Sequence, residues 1–193
     1  MFEKAKIASL RTTALRGVAA LLFAFALVPT SSAAALSAEQ EAALAQRIDS
    51  FEAALMATDM AGAIAVVPPK VVEHIAAKHN VTVAEVIAAG QVQLERTFGQ
   101  AKLLAVELAY EPERLSILPD GLTFATLPTR LKVDLGDERG IITATSETLG
   151  LLDGDTWYLV SLDNVEQVTV IRQLYPALAE IDFSSLPEEA ASP

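Results

Sequence analysis

Asp59, Tyr110 and Tyr158 are the side chains of this sequence that acid–base chemistry could use. A carboxylate can take a proton as general base, and a tyrosine hydroxyl can donate to a developing oxyanion. Together they would suit a cofactor-free lyase or isomerase. Asp59 also stands where an aspartate caps a short helix, the more ordinary use of such a residue. His74 and His79 are the only histidines, and there is no cysteine. Metal pairs on one helix face want spacings of three or four, and a spacing of five sets these two about 140° apart, so no metal site is expected. His79 suits the last turn of a helix, where partial positive charge interacts well with the dipole.

The other candidates have equally plain structural uses. Glu73 and Glu107 could form a carboxylate pair, but alternation points Glu107 to solvent. Asp153 and Asp155 have calcium-loop spacing, yet Trp157 occupies the next ligand position and no glutamate closes the loop, so a turn is expected. Arg130, Lys132 and Arg139 have two readings, one cationic sheet face for an anionic ligand or partner, or a solvated strand face. Phe98, Tyr110, Phe124, Trp157 and Tyr158 could line an apolar pocket or simply fill a core. Nucleophile elbows, phosphate loops and dinucleotide fingerprints are absent, and no cofactor is expected.

The elements that must position these groups follow a leader. Lys4, Lys6, Arg11 and Arg16 precede an uncharged run from Gly17 to Val28, and Pro29 and small residues to Ala35 close it. That is the order of a secretory signal peptide, with cleavage expected after Ala35 and Ala33 as the alternative. A spanning helix needs about 20 apolar residues and a signal core about 7–15, which places this run in the second class. Removing residues 1–35 from the 193 leaves 158, enough for a single domain. The leader holds four of the 14 basic residues and one of the 25 acids, so the remainder carries 10 against 24, a net −14. Such a field repels phosphate backbones and anionic headgroups, arguing against nucleic acid and membrane-surface partners. An exported chain without disulfides points to a bacterial periplasm or exterior.

Residues 36–182 divide into a helical half and a strand-rich half, an α+β pattern. Ser37 and Gln40 form a capping box, and Leu44, Ile48, Phe51 and Leu55 recur at helical spacing to about Ala57. Asp59 caps a short turn through Ala65. Pro69 opens a helix ending near Asn80, and Thr82 with Glu85 caps another that Gly99 ends. From Lys102 the period is two, with Leu104, Val106, Leu108 and Tyr110 inward. Strands follow over Leu122–Leu135, with a break at Pro128, over Ile141–Leu152, and over Thr156–Leu162. Turns at Pro119–Gly121, Gly136–Gly140 and Asp153–Asp155 divide them. Asn164 caps a last helix with Val168, Ile171, Leu174 and Tyr175 inward. Residues 183–193, from Phe183, read as a flexible acidic tail.

Phe51-Glu-Ala-Ala-Leu55 followed by Thr58-Asp59-Met60, then Asp120-Gly-Leu-Thr-Phe124, Leu152-Asp-Gly-Asp-Thr-Trp-Tyr158 and Leu174-Tyr-Pro176, give this chain its resemblance to the nuclear transport factor two-like (cystatin-like cone) superfamily. The resemblance covers roughly Ala38 to Leu178, and it is to the small exported bacterial members of unknown role, among which the aspartate-glycine then tryptophan-tyrosine strand recurs. It implies N-terminal helices packed on the concave side of a curved antiparallel sheet, with the meander curling around them. The long helical stretch around Pro68-Pro69 departs from the early strand pair often found there. The superfamily holds isomerases, dehydratases, binding modules and interaction domains, so the fold does not choose a function. With no convergent set of titratable groups, the expected role is an exported, non-catalytic domain that binds a small apolar ligand or an envelope protein. The alternative is a lyase or isomerase using Asp59 with a tyrosine in a pocket of the superfamily type.

Overall fold

A computed structural model describes residues 35–99, 101–136, 140–163 and 165–183. The leader through residue 34, including Ala33, lies outside the described residues, as do Arg139, Asn164 and residues 184–193.

Local signals set the helices. In α1 (Ala38–Met56) the Ser37 hydroxyl accepts from the Gln40 amide at 3.1 Å and the Gln40 side chain accepts from the Ser37 amide at 3.0 Å. Asp59 caps α2 (Met60–Ala65), and Pro69 occupies the first turn of α3 (Pro69–His79), which ends at left-handed Asn80. Thr82 and Glu85 reciprocate at the start of α4 (Val83–Phe98), and these hydrogen bonds hold the Glu85 carboxyl below its ordinary pKa.

The strands are β1 (Lys102–Leu108), β2 (Leu115–Ile117), β3 (Thr123–Asp134), β4 (Ile141–Asp153) and β5 (Thr156–Ser161), with α5 (Val165–Leu174) following. They form one antiparallel sheet in the order β1-β3-β4-β5, curled as a half-barrel, with β2 also pairing β3. β3 does not break at Pro128. The Pro128 carbonyl accepts from Ala109, and its missing N–H falls on the same edge, where the ladder with β1 stops at Leu108 before that with β2 begins; on the other edge the pairing with β4 runs through Pro128. A bulge between Leu103 and Ala105 also changes the face of the first strand residues, so that Leu103 rather than Leu104 meets the core.

The sheet is buried on both faces. Ala125, Leu127, Trp157 and Leu159 pack with Leu44 and Ile48 of α1 and with Val66. On the opposite face Phe124, Leu149, Leu151 and Val160 pack with Val168 and Ile171 of α5 and with Tyr175, Leu178 and Phe183. The curled sheet with helices packed on it follows the expectation, and α5 adds a cover on the second face. Phe183 departs from its expected place. It is 4% exposed with the Arg172 guanidinium 5.7 Å from its ring centre, so the core extends one residue into the span read as tail.

Tyr175 closes the α5-side core, its hydroxyl donating to Asp153 at 3.3 Å. Burial, and then the Asp153 carboxylate, push its pKa up. A folded state that holds this proton gains stability below the unfolded tyrosine pKa of about 10, and that gain is lost as pH rises above it. Tyr175→Phe is therefore expected to flatten the alkaline fall in melting temperature between about pH 9 and 11. Parallel alkaline limbs for the two proteins would show that Tyr175 does not set it.

An apolar cleft between the helices and the sheet

The helix α4 has no fully buried residue and packs on α2 and α3 rather than on the sheet. Its contact with α2 is close at Gly90, where a Cβ would stand 2.9 Å from Met60 Cγ. This explains a glycine in mid-helix despite a cost of about 1 kcal/mol relative to alanine. Beneath the helices lies a cleft of about 430 Å³. Leu55, Met60, Ile64, Ile75, Leu94 and Phe98 contribute to its roof. Leu103, Thr129, Leu131, Ser146, Thr148, Leu159 and Ser161 form its floor, with Asp163 and Gln167 at one end. The register explains the floor: Thr129 pairs with Ser146 and Thr148 with Ser161, which sets four hydroxyl residues side by side across three strands. Thr129 and Thr148 share a hydrogen bond of 2.8 Å, and Thr129 also donates to the Leu127 carbonyl at 3.1 Å.

Of the five aromatic residues that could line a pocket or fill a core, Phe98 lines this cleft. Trp157 is 1% exposed in the α1-side core, its indole N–H donating to the Gln40 carbonyl at 3.0 Å. Phe124 belongs to the α5-side core. Tyr158 alternates to the other face of β5 from Trp157, with the Arg47 guanidinium 5.9 Å from its ring centre. Tyr110 packs against the α1-side core, where burial, and then the Glu41 carboxylate, raise its pKa.

Asp59, Tyr110 and Tyr158 thus keep separate company, and none lines the cleft. Asp59 is exposed and accepts from the Gly62 amide at 3.0 Å as the cap of α2. Replacing it with alanine is expected to lower stability by about 1 kcal/mol, with serine or asparagine recovering most of that. Chemical denaturation checks this, and full stability of Asp59→Ala would remove the capping role.

The cations divide among several neighbours. Arg130 and Lys132 are exposed on one face of β3, in register with Glu107 and Ala105 of β1. His74 and His79 both border a smaller groove of about 260 Å³ between α3 and α5, where Lys78 pairs with Glu166. The Lys78 hydrogen bond and charge hold the Glu166 carboxyl below its ordinary pKa. Among the described residues no three histidines, cysteines or carboxylates gather as metal ligands. Asp153 anchors Lys70 at 3.0 Å as well as Tyr175, a structural use for the acidic turn.

Two polar anchors carried no recognisable sequence signal. Glu52 on α1 accepts from the Leu108 amide at 2.7 Å and ties the helix to the end of β1. Glu147 on β4, 8% exposed, accepts from Arg114 at 3.0 Å, while Arg114 also holds Glu111 at 2.6 Å. Neither lines the cleft. Among the described residues no helix is long and apolar enough to cross a membrane. No family model, curated protein or solved structure matches this chain.

Proposed function

We propose that this domain binds a small, largely apolar ligand in the cleft under α4 and performs no chemistry on it. The observation that carries the reading is the cleft itself: a volume of about 430 Å³ between an aliphatic and aromatic roof and a mixed floor. That size falls in the range of small-molecule sites, which are mostly apolar with a few placed polar groups. Among the described residues Asp163 is the one carboxylate in its lining, and no histidine or tyrosine stands beside it there. A general acid and base therefore do not converge on a bound molecule, as turnover would require. The basic, apolar and small-residue order of the first 35 residues supports a further proposal, that the domain works outside the cytoplasm, in a bacterial periplasm or beyond. The order of helices and strands supports placing it in the cystatin-like cone superfamily.

Titration with the neutral fluorophore N-phenylnaphthylamine tests the binding reading. Saturable enhancement at one site per chain is the expected result. A response no greater than that of an unrelated acidic protein would overturn it.

A further inference from the structure

The floor of the cleft is chemically uneven, and that unevenness selects among apolar molecules. Thr129 and Thr148 satisfy one another, and Thr129 also uses the Leu127 carbonyl. Ser146 and Ser161 line the same floor, and among the described residues neither hydroxyl makes a hydrogen bond to the protein. Asp163 follows directly after β5 at the same end. It is exposed, and no lysine, arginine or histidine of the described residues pairs with it. Among the described residues the cleft lining contains no basic side chain, and Lys78 in the neighbouring groove is already held by Glu166. The polar end therefore offers two hydroxyls, the Asp163 carboxylate and the Gln167 amide, whose Oε1 already accepts from the Asp163 N–H at 2.8 Å, and the whole chain adds a net charge of −11. A donating head group finds acceptors there, whereas an anionic head meets like charge without a counter-ion.

Resting on the reading that the cleft binds a ligand, we infer that this ligand is an amphiphile with one polar end, an ammonium or hydroxyl group seated at Ser146, Ser161 and Asp163, and that a carboxylate head is rejected. The apolar body lies under Leu94 and Phe98. Burial of its hydrocarbon supplies affinity, and the head group supplies orientation.

Competition against bound N-phenylnaphthylamine by octylamine, octanol and octanoate, all of equal chain length, tests the inference. Octylamine is expected to displace the probe at a concentration about tenfold or more below that of octanoate, the scale of one hydrogen bond to a charged group. Asp163→Asn should narrow that gap to about threefold or less. Asp155→Asn, which removes an equal charge from the β4–β5 turn outside the cleft, should leave the gap intact. Octanoate competing as well as octylamine, or a gap that survives Asp163→Asn, would overturn the head-group assignment while leaving the binding reading standing. Failure of the probe to bind at all would instead remove the binding reading, and this inference with it.

Discussion

Ser161→Phe and Ser146→Phe, each made alone, are expected to abolish binding of a neutral apolar probe while leaving the protein folded. Both serines sit on strands with half-buried side chains that open into the cleft. Phenylalanine is well suited to a strand, so the backbone has no reason to move. Its ring would project into the cleft and bury apolar area against Leu159 or Leu131. The melting temperature should hold or rise, by no more than about 1 kcal/mol in stability. A bound molecule would have to displace that ring, which is why the expected loss of affinity exceeds a hundredfold, about 3 kcal/mol. Two positions on neighbouring strands guard against an accident at either one. If both variants fold and bind the probe like the parent, the cleft is not the binding site, whatever its shape.

The helix boundaries were legible because they are written in contiguous residues. Ser37 with Gln40, Asp59, Pro69 and Thr82 with Glu85 each satisfy or replace first-turn amides, a requirement that holds whatever lies around the helix. The cleft was harder to read because its parts come from nine elements, and the distance between them is set by packing. Gly90 illustrates this: in the sequence it is a weak point in a helix, and only the approach of Met60 explains it. Some signal was nevertheless present. Ser146 and Thr148 fall on one face of a strand by alternation, among residues where a core-facing strand ordinarily carries aliphatics. The unbroken run Leu149-Gly-Leu-Leu152 signals burial on both faces of the sheet, which is what α5 provides. The aromatic residues divide for a related reason. Trp157 and Tyr158 are adjacent, so a strand must send them to opposite faces, and they could not share one pocket.

Trp157→Ala is expected to be the most damaging single substitution for stability, costing about 4 kcal/mol. The indole is 1% exposed and packs among Leu44, Leu127 and Leu159, joining α1 to the centre of the sheet. Truncation would open a cavity lined by α1 and two strands, elements whose backbones are fixed by hydrogen bonds and cannot collapse far into it. It would also remove the hydrogen bond from the indole to the Gln40 carbonyl. Trp157→Phe separates the two losses, because it keeps most of the ring and cannot donate; its cost should be about 1–2 kcal/mol. A domain of this size has a total stability of roughly 5–15 kcal/mol, so the alanine variant should unfold at clearly lower urea concentration and could populate the unfolded state at physiological temperature. Trp157→Ala would also show whether the cleft depends on the α1-side core. Leu159 belongs to both, as a core residue and as part of the cleft floor. Loosening around it should therefore weaken probe binding even though Trp157 does not line the cleft. Near-parental stability for Trp157→Ala would mean that α1 is not held to the sheet through this ring, and the link between helix packing and cleft shape would fail with it.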